Sequence, residues 1–290
     1  MSKKILILGA TGMLGYTLFR QYVKDVELEV YATAIESTLD EKRFKPQERK
    51  RIYTGVQAEN FKVVEEVVDA VKPDVIINAI GLTSAAQISD NLLSAIMINS
   101  ELPHRLAYAA RSAGARLIHI GTDGVFDGKK GMYTENDAVS IPDAYGMTKF
   151  LGEVRGPYCV TIRTSIIGHS PIQKRGLVEW FLAQNGKVKG YTKVIYSGFP
   201  TVELAGIIRD HVIPHDEMSG VYHVSSLPIS KYDLLKLIAQ RYGMQIEIEA
   251  DDKLVVDRSL DSSRFRAVTG YCPPSWEEMI DKMYRDHTEQ

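Results

Sequence analysis

Short apolar runs alternate with helical patterns through the first half of the chain. The runs contain few polar residues, which is typical of strands that are buried on both faces of a parallel sheet. We predict five such strands, at Ile5–Leu8, Leu28–Ala32, Val75–Asn78, Leu117–Ile120 and Cys159–Ile162.

The segments between these runs carry apolar residues at helical spacing. One predicted helix ends at Lys72-Pro73-Asp74, because proline cannot continue a helix, and a second covers Leu102–Ala113 and is closed by Gly114. The apolar face of the first helix consists of Phe61, Val64, Val67, Val68 and Val71. Strands that alternate with helices predict an α/β fold with a doubly wound parallel sheet, the Rossmann fold, which binds ligands at the carboxyl ends of its strands.

The alternation of strand and helix patterns becomes irregular after about Thr164. We therefore predict a dinucleotide-binding domain over residues 1–165 and a smaller, mainly substrate-binding region over 166–290. Within that region we expect a helix at Lys231–Tyr242 and a strand near Val221–Val224 that returns to the main sheet. The charged stretch Asp40–Arg51 is interpreted as a solvated loop.

Charge, hydropathy and cysteine content limit the kinds of partner and compartment that the sequence predicts. A formal net charge of -2 gives no reason to expect nucleic acid, and no apolar stretch approaches the length of a membrane span. The run Ile5–Leu8 is too short for a signal peptide, and two cysteines are too few for a disulfide framework, which favours a cytoplasmic protein with reduced thiols. The pairs Asp210-His211 and His215-Asp216 do not form a clean ligand set, so no metal is expected.

A glycine-rich turn follows the first predicted strand. In the run Gly9-Ala10-Thr11-Gly12-Met13-Leu14-Gly15, Gly9 permits a tight turn, Gly12 allows the backbone to approach a pyrophosphate, and Gly15 allows close packing of helix on strand. The helix that begins there offers free N–H groups to phosphates. The motif predicts dinucleotide binding, with Gly9, Thr11, Gly12, Met13, Leu14 and Gly15 as contacts.

The residue at the end of the second strand usually indicates whether a Rossmann fold prefers NAD or NADP. In NAD-binding proteins an acid at this position holds the ribose hydroxyls. Here Val30-Tyr31-Ala32-Thr33-Ala34 has no acid at the tip. No arginine follows immediately, and Glu36 is close by. Thr33 is a candidate cofactor contact, and the pattern favours NADP(H) slightly over NAD(H).

Tyr145-Gly146-Met147-Thr148-Lys149 places a phenol and an ammonium one helical turn apart. A free phenol has a pKa near ~10, too high for efficient proton exchange at neutral pH. A cation at ~4 Å in an effective dielectric of ~20 contributes about 4 kcal/mol, or about three pKa units. We therefore expect Lys149 to bring the pKa of Tyr145 toward neutrality, before desolvation takes some of that effect back.

Thr122 follows the strand Leu117–Ile120 at its carboxyl end. A hydroxyl there can form a hydrogen bond with the substrate oxygen that gains or loses a proton. Thr122, Tyr145 and Lys149 are the predicted catalytic residues.

The chain resembles the dTDP-4-dehydrorhamnose reductase family, extended short-chain dehydrogenases that act on nucleotide-linked sugars. The similarity spans nearly the whole chain and rests on the segments Gly9–Gly15, Asn78-Ala79-Ile80-Gly81, Thr122-Asp123-Gly124-Val125-Phe126-Asp127-Gly128, Tyr145–Lys149, Arg163-Thr164-Ser165, Gly198-Phe199-Pro200-Thr201 and Ser275-Trp276-Glu277-Glu278.

The resemblance implies reduction of the C4 keto group of a 4-keto-6-deoxy sugar, in deoxysugar or surface-polysaccharide biosynthesis. Tyr145 would protonate the oxygen with help from Thr122, and Lys149 would hold the nicotinamide ribose. Asp123 and Ser165 would contact the sugar. Further cofactor contacts would be Gln57 after the third strand of the family fold, and Asn78, Ala79, Gly81, Leu82 and Thr83. Relatives often form dimers, so a homodimer is expected by analogy alone.

Three positions depart from the family. Gln57 replaces the usual acid near the adenine, Ile166 replaces an aromatic residue, and Gly124 stands where Tyr is common. Related 4,6-dehydratases carry Glu at the position of Gly124 as an extra acid/base group, so dehydration is disfavoured. Two alternatives stay open: a non-catalytic regulatory subunit of the kind that partners methionine adenosyltransferase, and an epimerase with retained cofactor.

Overall fold

A seven-stranded parallel sheet forms the centre of the molecule, as the alternating pattern predicts. The computed structural model describes residues 2–83, 85–171 and 176–289. Within them the strands are β1 Lys3–Leu8, β2 Leu28–Thr33, β3 Ile52–Tyr53, β4 Val75–Asn78, β5 Arg116–Ile120, β6 Cys159–Arg163, β7 Ile166–Ile167, β8 Lys187–Tyr191, β9 Val194–Tyr196, β10 Phe199–Pro200, β11 Gly220–His223, β12 Ile229–Ser230, β13 Glu247–Asp251 and β14 Val256–Asp257.

Helices cover both faces of this sheet. They are α1 Met13–Tyr22, α2 Pro46–Arg49, α3 Phe61–Val71, α4 Ala85–Asp90, α5 Leu92–Ala95, α6 Leu102–Ala113, α7 Ala144–Leu151, α8 Leu177–Leu182, α9 Thr201–Ile207, α10 Lys231–Tyr242, α11 Ser263–Thr269 and α12 Trp276–Thr288. Two wider, π-helical turns, Ile96–Glu101 and Ile208–Val212, extend α5 and α9. No helix within the described ranges is both long and apolar enough to cross a bilayer.

The order of the main sheet is β11-β6-β5-β4-β1-β2-β3. Side chains of β1 alternate between its two faces, so Ile5 and Ile7 join the core beneath α1, α9, α10 and α12, and Leu6 and Leu8 join the core beneath α3 and α6. This arrangement confirms the predicted fold class. Strand β11 lies beside β6 at the edge, and the remaining strands after residue 165 form three small sheets, β10-β7, β12-β9-β14 and β13-β8.

The interpretation of Asp40–Arg51 as a solvated loop is wrong in part. Residues Pro46–Arg49 form the short helix α2. Phe44 is 3% exposed and contacts the rings of Tyr16 and Phe19 edge-on. A single aromatic residue within a charged run therefore anchors this segment to α1, and a count of charges does not reveal such an anchor.

A buried ion pair fixes the edge of the sheet next to the loop that follows β5. Arg163 is 1% exposed, and it donates to both carboxylate oxygens of Glu153 at 2.6 and 2.9 Å. Its third nitrogen lies 3.2 Å from Nε2 of His223, whose Nδ1 lies 2.9 Å from the carbonyl oxygen of Tyr133. Burial and the adjacent guanidinium lower the pKa of His223 to about 4, so a neutral ring accepts from Arg163 and donates to Tyr133.

We expect Arg163→Met to lower the free energy of unfolding by about 3–5 kcal/mol, because it leaves the Glu153 carboxylate buried without its main partner. Urea denaturation measures this change. Arg155→Met is the matched control, since Arg155 contacts the same carboxylate at 3.1 Å but is 60% exposed; it should cost below about 1 kcal/mol. Equal losses in the two variants would contradict the structural importance of the buried pair.

Candidate active site

The glycine-rich turn lies at the carboxyl end of β1 and leads into α1. Gly9 has a φ of +93°, which L side chains rarely adopt. A Cβ on Gly15 would lie 2.7 Å from the carbonyl carbon of Gly9, whereas a Cβ on Gly12 would meet only the Gly9 oxygen, at 3.5 Å. Gly15 is therefore required by the fold itself, and the space over Gly12 is open to a ligand.

The N-terminus of α1 has no cap from a side chain, because its N-cap residue is Gly12. The first N–H groups of a helix have no partner within the helix, so this end can receive an anion. Thr11, Met13 and Leu14 belong to the same turn. The turn thus fits a dinucleotide diphosphate.

Thr33 at the end of β2 and Gln57 after β3 are two further predicted cofactor contacts. The hydroxyl of Thr33 is buried and accepts from the backbone N–H of Gly9 at 3.2 Å, so it supports the shape of the turn. Gln57 follows β3 and is exposed. Among the described residues, one carboxylate oxygen of Glu36 is buried without a hydrogen-bond partner.

The loop after β4 is held by an asparagine that sequence reasoning missed. The side-chain oxygen of Asn99 accepts from the Leu82 N–H, and its nitrogen donates to the Leu82 carbonyl, both at 2.9 Å. The same nitrogen contacts the Thr148 hydroxyl at 3.1 Å. Asn99 lies in the π-helical turn Ile96–Glu101, and its only signal in the sequence is an amide within an apolar helical run. It connects the loop to α7.

The other predicted residues of this loop are placed as follows. Asn78 is fully buried; its side chain accepts from the Ile80 N–H at 3.1 Å and contacts Nδ1 of His119 at 3.1 Å. The N–H of Ala79 donates to the Leu8 carbonyl at 3.2 Å. Gly81 and Thr83 are exposed at the loop surface, and a Cβ on Gly81 would lie 3.8 Å from Nζ of Lys149. The loop therefore faces the predicted catalytic lysine.

Thr122 and Tyr145 meet where α7 packs on the loop after β5. Asp143 caps α7 by accepting from the Gly146 N–H at 2.8 Å. A Cβ on Gly124 would lie 3.2 Å from Oγ1 of Thr122 and 3.3 Å from the Tyr145 ring. The hydroxyl of Thr122 accepts from the Gly124 N–H at 3.0 Å.

Lys149 is 5% exposed, and its ammonium donates to the carbonyl oxygen of Ile120 at 2.7 Å. Burial lowers the pKa of Lys149 to about 8, and the charge of Glu153 offsets part of that shift. The hydrogen bond ties α7 to the carboxyl end of β5.

The expected lowering of the Tyr145 pKa by Lys149 is wrong for the protein without ligands. Burial raises the pKa of Tyr145 to about 12, and the hydrogen bond with Thr122 offsets this only in part. The nearby carboxylates of Asp123 and Asp143 raise the pKa further. Helical spacing did not predict the direction of the ammonium, which donates to the Ile120 carbonyl, and Lys149 is not among the charges that act on Tyr145.

Asp123 and Ser165, the predicted sugar contacts, follow the carboxyl ends of β5 and β6. The N–H of Asp123 donates to the Thr164 carbonyl at 3.3 Å, which places Asp123 beside Ser165. Burial raises the pKa of Asp123 to about 6, although Arg258, Thr122 and Lys231 each lower it. The effect of Arg258 and Lys231 on Asp123 was not predicted from the sequence, because both residues lie far away along the chain.

The parallel sheet, the glycine turn and the Thr-Tyr-Lys group at its carboxyl edge define an extended short-chain dehydrogenase. Residues 3–289 match the family described as RmlD substrate binding domain. The chain belongs to this family, which confirms the predicted relationship.

Relatives and solved structures agree with this placement. The chain is 27% identical to a dTDP-4-dehydrorhamnose reductase of Aggregatibacter actinomycetemcomitans, over 96% of this chain and 97% of that one. A crystal structure of a dTDP-4-dehydrorhamnose reductase from Clostridium acetobutylicum superposes with a TM-score of 0.81 at 25% identity, over 99% and 100% of the two chains. Another, from Bacillus anthracis in complex with NADP, has a TM-score of 0.80 at 22% identity, over 99% and 100%.

Two of the three glycines of the turn, Gly12 and Gly15, give a matched test of cofactor binding. Gly12→Ala should leave thermal stability close to that of the parent, because its Cβ meets only ordinary contacts, but should weaken NADPH binding by at least about tenfold, or about 1.4 kcal/mol. Fluorescence titration with NADPH measures the loss. Gly15→Ala should instead unfold at a clearly lower temperature. A Gly12→Ala protein that binds NADPH as the parent does would show that the turn does not hold the diphosphate.

We expect Asp123→Asn to raise the unfolding temperature at pH 8. The carboxyl has a pKa of about 6 in the folded protein and 3.8 ordinarily, so its ionisation above pH 6 costs folding free energy that is absent once both states are protonated below about pH 4. The gain should therefore shrink as the pH falls from 6 to 4. Thermal unfolding at pH 4, 6 and 8 measures it.

Asp137→Asn is the control for this effect. The pKa of Asp137 is lowered to about 2, chiefly by its hydrogen bond with Lys130, so the folded state favours the charged form. This variant should lose stability at pH 8 and recover it toward pH 2. Opposite signs for the two substitutions are expected; an Asp123→Asn protein less stable than the parent at pH 8 would contradict the burial argument.

Proposed function

We propose that this protein is an NAD(P)H-dependent reductase of the C4 keto group of a nucleotide-linked 4-keto-6-deoxy sugar. One observation carries the proposal: Thr122, Asp123, Tyr145 and Lys149 meet at the carboxyl edge of the sheet, on the side where the loop at Gly81 comes within reach of Lys149. Family membership and the reductase relatives support the same activity. The wider role is deoxysugar or surface-polysaccharide biosynthesis.

The cofactor supplies a hydride when bound, and the turn at Gly12 with the loop at Gly81 would hold it. NADP(H) is favoured slightly over NAD(H). The absence of an acid at the tip of β2, at Thr33-Ala34, and the NADP complex of the Bacillus anthracis reductase support this choice. The relative rates with NADPH and NADH test it directly.

Tyr145 donates the proton to the substrate oxygen as that oxygen gains negative charge. With a pKa of about 12 the phenol is protonated at neutral pH, so the proton that the reduction requires is in place, and the bound cofactor and substrate have to lower that pKa for efficient transfer. Thr122 donates a hydrogen bond to the same oxygen. Lys149 supplies a positive charge nearby and orients the cofactor ribose, and Asp123 and Ser165 contact the sugar.

Gly124 favours reduction over dehydration. Elimination of water requires an additional carboxylate as acid and base, and Gly124 provides none. A side chain there would begin 3.3 Å from the Tyr145 ring, so the loop is packed closely around glycine. The homodimer and the cytoplasmic location expected from the sequence stay predictions.

The substitution Tyr145→Phe tests whether Tyr145 supplies the proton. It should bind NADPH with the affinity of the parent and lose at least about 10²–10⁴-fold in turnover, the usual contribution of a positioned acid. The assay is NADPH and NADH consumption with dTDP-, UDP- and GDP-linked 4-keto sugars. Tyr158→Phe is the control, since Tyr158 is 65% exposed, and it should keep full activity.

One result would overturn the role of Tyr145, and two would overturn the reductase activity itself. Turnover by Tyr145→Phe near that of the parent would show that another group supplies the proton. No consumption of either nucleotide with any keto sugar, together with tight binding to a partner protein, would indicate the regulatory subunit. Tightly bound NAD in the purified protein would indicate the epimerase.

A further inference from the structure

His119 is a fully buried histidine that the proposed chemistry does not use. It lies in β5, where strand pairing sets it opposite Asn78 of β4 and Thr161 of β6. Side chains alternate along a strand, and Leu117 joins the core beneath α6, so His119 faces the same side of the sheet. Its Nδ1 lies 3.1 Å from the side-chain nitrogen of Asn78. The ring is therefore in contact with the residue that begins the loop after β4.

The hydrogen bonds of Asn78 determine which ring nitrogen carries the proton. The side-chain oxygen of Asn78 accepts from the Ile80 N–H at 3.1 Å, so the amide nitrogen faces His119. An amide nitrogen donates and does not accept, and Nδ1 of His119 is therefore the acceptor. The proton of the neutral ring is then on Nε2, which is buried without a hydrogen-bond partner among the described residues. His119 thus accepts one hydrogen bond, although its own donor stays unpaired.

The surroundings of the ring keep it in this neutral form. Burial lowers the pKa of His119 well below its usual value, and the charges of Lys149 and His104 lower it further. A proton on Nδ1 would also face the amide protons of Asn78, so that two donors would meet. His119 is therefore a permanent acceptor at neutral pH and does not carry protons.

The loop after β4 is anchored at both ends by an asparagine. Asn78 accepts from the N–H of Ile80, and Asn99 binds both backbone groups of Leu82. The stretch between these anchors faces the predicted catalytic lysine. The first anchor holds only while the Asn78 amide keeps its orientation, and the acceptor on His119 fixes that orientation.

The same anchor reaches the glycine turn and the lysine. A Cβ on Gly9 would lie 3.0 Å from Cγ1 and 3.6 Å from the backbone nitrogen of Ile80, so the loop packs directly on the turn. The residue after His119 is Ile120, whose carbonyl binds the ammonium of Lys149 at 2.7 Å. Two consecutive residues of one central strand therefore hold the cofactor loop and the lysine next to each other.

We propose that His119 is a positioning residue for NAD(P)H: it holds the Asn78 amide in the orientation that anchors the loop after β4 against the glycine turn. The inference rests on the proposed function, because it assigns a residue that shapes the cofactor side of the same site. The role requires an acceptor at the position of Nδ1 and no contact between His119 and the cofactor. The unpaired Nε2–H is the consequence of that requirement.

Two substitutions separate the acceptor from the packing of the ring. His119→Phe keeps a ring of similar size and removes the acceptor. His119→Asn keeps an acceptor oxygen on Cγ, where Nδ1 is bonded, and removes part of the ring volume. His119→Phe should weaken NADPH binding about five- to tenfold, the loss expected for one buried hydrogen bond, and His119→Asn should stay within about twofold of the parent. Fluorescence titration with NADPH, well below the unfolding temperatures, measures both affinities.

Thermal stability should rank the two variants in the opposite order. His119→Phe removes the unpaired Nε2–H but leaves the Asn78 amide without its acceptor, so its unfolding temperature should stay close to that of the parent. His119→Asn leaves a cavity in the core and should unfold at a clearly lower temperature. A role in packing alone would instead weaken NADPH binding in the less stable variant.

Hydrogen exchange tests the anchor in the absence of cofactor. The Ile80 amide proton should exchange about five- to tenfold faster in His119→Phe and at nearly the parental rate in His119→Asn. The Leu82 amide, which Asn99 holds, is the internal reference and should change less. In the reductase assay His119→Phe should raise the KM for NADPH and leave kcat near that of the parent, because Thr122 and Tyr145 are unchanged.

Three results would overturn the role of His119. They are NADPH binding by His119→Phe within about twofold of the parent, losses of affinity that follow the losses of stability in both variants, and a ring that NMR shows to be protonated on Nδ1. Failure of the reductase activity is a separate result, since NADPH consumption with keto sugars measures it. A protein that binds NADPH through this loop but reduces no keto sugar would keep the role of His119 and lose the reaction. A parent that binds neither NADPH nor NADH would lose both.

Discussion

The hydrogen bond from the Lys149 ammonium to the Ile120 carbonyl is the contact on which the site depends. An ammonium that is 5% exposed is stable in a protein interior only when an acceptor replaces its water. The acceptor here is the last carbonyl of a central strand, which is fixed by pairing with β4 and β6. The bond therefore joins α7, which carries Tyr145, to the end of β5, which Thr122 follows.

Burial gives this site its electrostatic character. It raises the pKa of Tyr145 to about 12, raises that of Asp123 to about 6 and lowers that of Lys149 to about 8. Each shift disfavours the charged form of the group, which is the direction that desolvation imposes. The protein without ligands thus keeps a site whose charged groups are incompletely balanced, and ligands that carry charge or hydrogen-bonding groups can restore that balance.

The second half of the chain brings two cations close enough to Asp123 to affect its charge. Strands β9, β12 and β14 form a small sheet; Tyr196 lies in β9, Lys231 follows β12 at the start of α10, and Arg258 follows β14. The buried network of Arg163, Glu153 and His223 fixes β6 and β11 beneath it. Residues of the later region therefore contribute to the electrostatics of Asp123 at the carboxyl edge of the main sheet.

The sequence by itself determined the elements with regular patterns and the motifs whose spacing is local. Helices Leu102–Ala113 and Lys231–Tyr242 begin and end where the pattern predicts. The glycine turn, Thr122 and the Tyr145–Lys149 pair could be chosen as candidates from the sequence, because each motif depends on neighbours within about one turn of chain. Only the tertiary structure decided the partners of Lys149, the role of Asn99 and the approach of Lys231 and Arg258 to Asp123. Those contacts join segments far apart along the chain, and the sign of a pKa shift depends on burial and orientation, which no spacing of residues encodes.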